Sequence, residues 1–171
     1  MSFTFVGTSM AVHKFLDWDM EEEPFVLIGI HSTVEPYRMA FLINKYLKVC
    51  FKRDQRDQDV RLINYVAQFP VYHYEDKEQN AKIFLVANHC RAELKATASV
   101  GSLFEGDAST TVKSTLVKEY RKVDYLIKIE KDAEHYPTKK LLNKLIEIPQ
   151  VISVYEIDTM IIKNTDYLIF E

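Results

Sequence analysis

A repeated segment constrains the fold of this chain more than any other feature of its sequence. Residues 26–47 align without a gap with residues 125–146, which lie 99 positions further on, and eight of the 22 aligned positions are identical. Amphipathic patterning supplies the shared leucines and isoleucines easily, but the shared tyrosine (Tyr37 and Tyr136) and the shared Asn-Lys pair are harder to obtain by convergence. We therefore interpret the alignment as two copies of one structural unit, with convergent amphipathic patterning as the alternative.

Each copy has the pattern of a strand, a helix and a second strand. In the first copy these are the apolar run "FVLIGIH" (25–31), a helix over residues 34–47 with Pro36 in its first turn, and "KVCFKR" (48–53). We expect one stripe of this helix to contain Tyr37, Phe41 (or Ala40), Asn44 and Leu47. In the second copy the same order falls on residues 123–130, 138–147 and 151–158, and residues 167–170 predict a last strand.

The residues between the two copies predict a β-rich middle followed by a long loop. Residues 60–76 have strand character interrupted at Pro70, which has no N–H group for a sheet ladder. Residues 82–90 predict the return strand of a hairpin. The small and polar segment 91–115 predicts a mobile loop that joins the two copies.

Together these patterns predict the fold class and the domain organisation. The expected fold is an α/β (α+β) two-layer sandwich, with a mostly antiparallel sheet, two helices and pseudo-repeated, ferredoxin-like β-α-β-β units. Residues 1–24 are an N-terminal lead-in. Residues 25–170 form a single α/β domain made of the pseudo-repeats 25–90 and 116–170.

Composition and charge argue against several classes of protein. The 171 residues carry a formal net charge of −3, so no general field attracts nucleic acid or anionic lipid. No apolar run approaches the about 20 residues that a membrane-spanning helix needs, and the start of the chain lacks a secretory signal pattern. Cys50 and Cys90 lie far apart and outside any C-x-x-C spacing, so we expect buried free thiols and a cytoplasmic location.

The stretch "LVKEYRKVDYLIKIE" (116–130) combines a charged turn with the start of a strand. We expect Asp124 to accept backbone N–H groups where the chain enters the sheet, with Lys122 or Arg121 as its exposed partner. Glu119 and Asp124 are five positions apart and lie on opposite faces of an extended chain. This spacing argues against a general acid–base pair, whose carboxyl groups must face one cavity.

The same stretch resembles the signature of the IPExxxVDY family, a set of small uncharacterised bacterial proteins. Val123, Asp124 and Tyr125 match the end of that signature, whereas Val117-Lys118-Glu119 keeps only the glutamate of its beginning. The strings "LIGIHSTVEPYRMAFLINKYL", "IPQVISVYEID" and "NTDYLIF" are also similar to this family, so the resemblance covers about residues 11–170. It implies a single cytoplasmic domain and no known activity.

Three polar residues, His31, Ser32 and Glu35, lie where the first strand leads into the first helix. Backbone N–H groups at such a helix N-terminus can bind an anion. Ser32 and Glu35 also have the spacing of a capping box, which we favour over contact with an anion or another ligand because no glycine allows close approach of a phosphate.

Six basic residues concentrate between the end of the first helix and the following strands: Lys45, Lys48, Lys52, Arg53, Arg56 and Arg61. Basic residues beside aromatic ones, here "YHY" (72–74), are typical of single-stranded RNA sites. Against RNA binding, Tyr72 and Tyr74 share a strand face that a core can bury. The interleaved Asp54, Asp57 and Asp59 neutralise this loop.

No catalytic constellation stands out in the sequence. The histidines have no zinc-ligand spacing, and the four glycines form no phosphate-binding loop. We therefore predict that the chain is no enzyme and binds neither a cofactor nor a metal. The predicted function is a non-enzymatic interaction or assembly module, with a protein partner or a homodimer joined through open sheet edges. RNA binding by the basic residues and small-ligand sensing between the pseudo-repeats are the alternatives.

Overall fold

The structure is a computed structural model that describes residues 24–94, 111–131 and 133–170. Its strands and helices are, in chain order, β1 (Val26–His31), α1 (Pro36–Leu47), β2 (Lys52–Arg53), β3 (Gln58–Arg61), β4 (Val66–Phe69), β5 (Val71–Asp76), β6 (Ala81–Ala87), β7 (His89–Glu93), β8 (Thr111–Thr115), β9 (Tyr125–Lys131), α2 (Thr138–Ile146) and β10 (Ser153–Glu156). Short 3-10 turns occupy Lys118–Tyr120, Ala133–His135, Thr159–Ile161 and Thr165–Leu168. The predicted lead-in, except for Pro24, lies outside the described residues.

Six strands form one sheet in the order β10-β1-β9-β6-β5-β2, and every neighbouring pair is antiparallel. β1 and β9 lie side by side, with Ile28 opposite Ile127 and Ile30 opposite Tyr125. β5 and β6 form the predicted hairpin, with its turn at residues 77–80. The predicted mixture of helices and strands, with two helices and a mostly antiparallel sheet, is confirmed.

Both helices pack on one face of this sheet. The apolar cluster on this face joins Ile28 of β1 and Ile127 of β9 with Ile43 of α1 and Leu145 of α2, and none of these side chains is more than 1% exposed. Helix and strand therefore exclude water from each other along their apolar faces, which is the main source of stability of such a layer.

The buried side of α1 differs from the predicted stripe. Its buried residues are Met39, Ala40, Leu42 and Ile43. Tyr37 and Phe41 of the predicted stripe are exposed by 68% and 62%. Ala40, the alternative to Phe41 on that stripe, is buried. Both sides of this helix carry large apolar residues, so periodicity alone did not identify the side that faces the sheet.

The opposite face of the sheet is covered by two hairpins and the C-terminal segment. β3 pairs with β4, and β7 pairs with β8. Phe69 of β4 and Phe170 lie in one apolar cluster with Phe84 of β6 and Leu126 of β9. The sheet is thus buried on both faces, and the predicted two layers are supplemented by a third.

Three predicted segments differ from the structure. Only Lys52–Arg53 of the expected strand 48–53 is a strand. The expected last strand 167–170 is instead part of a turn, because Leu168 and Phe170 pack under the sheet rather than along its edge. The expected loop 91–115 ends in strands on both sides, since β7 and β8 pair with each other; residues 95–110 lie outside the described residues.

Both cysteines are free, as expected, but their burial differs from the prediction. Cys50 is exposed and Cys90 is partly buried. Cys50 was expected inside a strand, and the structure places it in the irregular segment that precedes β2. No sheet neighbour therefore covers its thiol.

Candidate functional site

The start of β9 is held to the end of β1 by Asp124. Its backbone N–H donates to the Ile30 carbonyl at 3.0 Å, and its Oδ2 accepts the backbone N–H of Ser32 at 3.0 Å. Its carbonyl accepts the N–H of Asn88 at 2.8 Å. Asp124 therefore has the role expected where a chain enters a sheet, but the basic side chain beside it is that of His31, with Nδ1 at 3.8 Å from Oδ2, and not Lys122 or Arg121.

The two apolar positions of the motif also have structural contacts. Val123 is fully buried against Gly29, where an added Cβ would come within 3.2 Å of both Val123 methyl groups. The Tyr125 hydroxyl donates to the Val34 carbonyl at the approach to α1. Burial, followed by the carboxylates of Glu35 and Asp124, raises the pKa of Tyr125 above its usual value, so this hydroxyl stays a donor.

Glu119 and Asp124 bind different parts of the chain. Its Oε1 accepts the backbone N–H of Lys163 at 3.3 Å on the surface. The two carboxylates thus bind the backbones of different segments, and neither contact is that of an acid–base pair.

Ser32 is buried, and its hydroxyl donates to the Gln150 carbonyl at 2.7 Å. The residue that caps α1 is Glu35, without a side-chain hydrogen bond. The predicted capping box is therefore wrong. Pro36 is the first helical residue, so Ser32 lies too far upstream to be the cap, and its hydroxyl is directed to the segment before β10 instead.

His31 completes a polar cluster at this end of the sheet. Its Nε2 lies 3.3 Å from the Tyr155 hydroxyl of β10, and the two rings are 5.7 Å apart. We call His31, Ser32, Asp124, Tyr125 and Tyr155 the junction cluster. The structure thus brings together two sets of sequence-predicted residues that are 92 positions apart along the chain.

The junction cluster joins backbones rather than arranging a reaction. The Ser32 hydroxyl donates to a backbone carbonyl, which is not a general base. The His31 ring lies between a phenol and a carboxylate on a partly exposed surface. This arrangement fixes how β1, β9 and β10 meet.

Asn88 is a residue that sequence reasoning missed. It is fully buried, and its Oδ1 accepts the N–H of Val117 at 2.8 Å. Its Nδ2 donates to the carbonyls of Tyr120 and Val123 at 3.0 and 2.9 Å. The signal was an amide inside the apolar run "KIFLVANHC", since a polar side chain in a buried strand needs internal partners.

Lys128 is a second residue of this kind, on the face of β9 that is turned away from the helices. It is 6% exposed, and its Nζ donates to Glu130 Oε1 at 2.5 Å and to the Leu168 carbonyl at 2.8 Å. The same ammonium lies 4.7 Å from the centre of the Phe25 ring. A buried lysine needs such partners: the Glu130 carboxylate compensates its charge, and the C-terminal segment adds a hydrogen-bond acceptor.

The six predicted basic residues lie in different surroundings and do not form one continuous site. Arg53 forms an ion pair with Asp57, donates to the Val71 carbonyl and lies 5.5 Å from the Tyr72 ring. Arg56 lines a cavity of about 260 Å³ whose wall also contains three aspartates. Lys48 lines a different and larger cavity. Lys45, Lys52 and Arg61 are exposed.

The larger cavity has a volume of about 490 Å³ and lies between the end of α1, the side of α2 and the β5–β6 turn. Its floor is apolar, and its rim carries charged residues of both signs. The apolar and aromatic lining residues include Ile43, Leu47, Val49, Phe51, Tyr74, Ile83, Ile127, Tyr136 and Leu141. Cavities of about 300–1,000 Å³ with an apolar lining are the usual size for small-molecule sites.

No protein-family model, curated protein or solved structure matches this chain. The resemblance to the IPExxxVDY family therefore stays a prediction. Neither helix in the described part of the chain is long and apolar enough to cross a bilayer. Within the same residues, no group of three His, Cys, Asp or Glu side chains is placed to hold a metal ion.

Proposed function

We propose that this chain is a non-enzymatic interaction module that forms a homodimer through the free edge of β10. The observation that carries this proposal is a difference between the two edges of the sheet. The β2 edge consists of two exposed basic residues, Lys52 and Arg53. The β10 edge has the sequence Ser-Val-Tyr-Glu and pairs only with β1 among the described residues. Lysines and very short strands discourage edge pairing. β2 has only two residues, one of them a lysine, whereas β10 has four residues and contains neither lysine nor proline.

The surroundings of β10 are apolar. Large exposed apolar residues concentrate between the last residue of α2 and the turn that follows β10: Ile146, Ile152, Tyr155, Met160 and Ile161. Exposed apolar groups beside an unpaired strand are typical of a protein contact. A second copy supplies both the missing backbone partners and an equally apolar surface.

The ladder on the inner side of β10 fixes which groups face outward. Ile157 donates its N–H to the Leu27 carbonyl, and the alternation of an antiparallel ladder then directs the backbone groups of Val154 and Glu156 away from β1. A twofold pair of β10 strands that exchanges these groups has Tyr155 opposite its own copy. Glu156 then faces Val154 of the other copy, which keeps the carboxylates apart.

The same proposal includes a ferredoxin-like pseudo-repeat within 25–90 and 116–170. Its support is the order β10-β1-β9-β6, in which strands of the two halves alternate and both helices lie on one side. The β1–β9 register is also symmetric about the pair Ile28 and Ile127, which are equivalent positions of the sequence repeat. The free thiols fit a cytoplasmic location.

RNA binding has less support from the geometry. Tyr72 is only 8% exposed and packs towards the helices, so its ring is not offered to a base. Arg53 is already paired with Asp57. The Lys45 ammonium lies 5.9 Å from the ring of Tyr46, which is 42% exposed, and this single ring on a helix is a smaller stacking surface than the expected YHY segment of a sheet.

Sedimentation velocity of the wild-type chain and three variants tests the homodimer. We expect a concentration-dependent dimer for the wild type and for Tyr155→Phe, which keeps the ring. Tyr155→Lys puts like charges opposite each other and should weaken the dimer at least about tenfold. Ile63→Lys is the matched control, because Ile63 is fully exposed in the β3–β4 turn. A monomeric wild type at about 100 µM, or a Tyr155→Lys dimer of unchanged affinity, would contradict the proposal.

A further inference from the structure

The cavity between the helices and the β5–β6 turn has two chemically different walls. Lys140 and Lys144 lie one helical turn apart on α2, and Lys48 follows the end of α1. The opposite wall is the β5–β6 turn with Glu75, Asp76, Lys77 and Glu78. The wall formed by the helices is therefore basic, and the wall formed by the turn has an excess of carboxylates.

The lysines on the helix wall keep their charge unpaired within the described residues. No carboxylate oxygen among residues 24–94, 111–131 and 133–170 lies within 4.0 Å of the ammonium of Lys48, Lys140 or Lys144. Each of these lysines is exposed to solvent and lines the cavity. An anion in the cavity therefore gains charge-assisted hydrogen bonds without displacing an internal partner of the lysines.

The acidic wall is partly committed to internal contacts. Asp76 accepts the backbone N–H groups of Glu78 and Gln79 at 3.0 and 3.2 Å, and the Tyr136 hydroxyl lies 3.5 Å from its Oδ2. Burial, together with this carboxylate, raises the pKa of Tyr136 to about 12. The Tyr136 hydroxyl thus stays neutral. The carboxylates of the turn repel an anion, whereas the ring of Tyr136 beside them can contact an apolar group.

The floor requires an apolar ligand body. Ile43, Ile83 and Ile127 lie at its base and are at most 3% exposed, so they offer a ligand almost no surface of their own. The apolar surface that a ligand can contact belongs mainly to Leu47, Val49 and Leu141, which line the cavity and are only partly buried. Phe51 and Tyr74 line one side with their ring centres 5.7 Å apart. Such a surface gains free energy when an aromatic or branched apolar group displaces water from it.

We propose that this cavity binds an amphipathic carboxylate, with its apolar body against Leu47, Val49 and Leu141 and its carboxylate against Lys140, Lys144 and Lys48. A carboxylate with an apolar body suits the site better than a free phosphate, because the lining offers lysine side chains and an apolar floor but no glycine-rich cradle of backbone N–H groups. The proposal is independent of the β10 edge, so the dimer can fail while the ligand site holds.

Isothermal titration calorimetry with three probes tests this inference: 2-naphthoate, its neutral analogue 2-naphthamide, and inorganic phosphate. We expect 2-naphthoate to bind one site per chain with a Kd between about 10 µM and 1 mM, and the amide to bind about tenfold more weakly. Phosphate alone should not bind measurably, because it leaves the floor empty.

Variants on the wall and in the floor locate the site. Lys140→Ala combined with Lys144→Ala should weaken 2-naphthoate about tenfold and leave 2-naphthamide unchanged. Lys139→Ala is the matched control on the same helix, because Lys139 does not line this cavity; its affinity should equal that of the wild type. Val49→Trp fills the cavity and should abolish binding of both probes.

Each opposite result overturns the inference in a defined way. No saturable heat with 2-naphthoate rules out the ligand site. Equal affinities for the acid and the amide, or an equal loss in Lys139→Ala, rule out recognition of the carboxylate by the α2 lysines. Tight binding of phosphate alone would overturn the requirement for an apolar ligand body and show that the cavity is a site for small anions.

Discussion

At the scale of single residues, Asn88 organises the turn that leads into β9. Its amide group makes three hydrogen bonds, and its backbone makes two more, to the Asp124 carbonyl and from the Leu116 N–H. These bonds fix the backbone of residues 116–124 at places where no sheet ladder satisfies it. Because the site is fully buried, water cannot replace the amide.

We expect Asn88→Ala to lower the free energy of unfolding by about 3 kcal/mol, since the buried Val117 N–H and Val123 carbonyl lose their partner. The Tyr120 carbonyl keeps the N–H of Val123. Urea denaturation followed by circular dichroism measures this change. Asn143→Ala on the exposed side of α2 is the control and should change stability by less than about 0.5 kcal/mol. Similar losses in both variants would show that Asn88 is not the organising residue.

At the scale of elements, the C-terminal segment acts as a lid on the sheet although it forms no strand. The Phe170 ring is 5.1 Å from the Phe84 ring of β6, and Leu168 is fully buried. The Leu168 carbonyl also accepts a hydrogen bond from the buried ammonium of Lys128. The segment thus contributes apolar burial and a hydrogen-bond acceptor for a buried ammonium at one place.

Phe170→Ala should destabilise the fold by about 3 kcal/mol, the cost of removing a buried phenylalanine ring. The neighbouring Ile169 is 54% exposed, so Ile169→Ala should cost less than about 1 kcal/mol. Thermal and urea unfolding of the two variants give the comparison. If both variants lose the same stability, the segment does not pack as the structure shows.

At the scale of the whole molecule, the two halves of the chain are interleaved in one sheet. β1 pairs with β9 and β10, which both belong to the second half. β9 pairs with β1 and β6, which both belong to the first half. Within the six-stranded sheet the second half alone therefore has no ladder, since β1 separates its two strands.

We expect fragments 1–102 and 103–171 to be unfolded when expressed separately, and to fold when mixed in equal amounts. The reason is that β1 in the first fragment pairs only with strands of the second fragment, and β9 in the second fragment pairs only with strands of the first. When the fragments are separated, these two strands lose their hydrogen-bond partners. Two-dimensional amide spectra of each ¹⁵N-labelled fragment, alone and with its unlabelled complement, make the measurement. A dispersed spectrum from either fragment alone would mean that the halves are independent units.

The sequence by itself determined the elements whose signals are local. The helix starts at Pro36 and near Pro137, the break at Pro70 and the β5–β6 hairpin follow from backbone restrictions and from the period of apolar residues. The role of Asp124 at the start of β9 was also predictable, because a short acidic side chain before a strand has few other partners than backbone N–H groups.

Only the tertiary structure decided which surfaces meet. The Asp124–Ser32 bond, the side of α1 that is buried and the lid formed by Leu168 and Phe170 all depend on residues that are distant along the chain. An apolar or polar residue has the same local pattern whether it faces a helix, a hairpin or water. Its partner is selected by the packing of the complete sheet, and this is why Ser32 serves the segment before β10 rather than the helix that follows it.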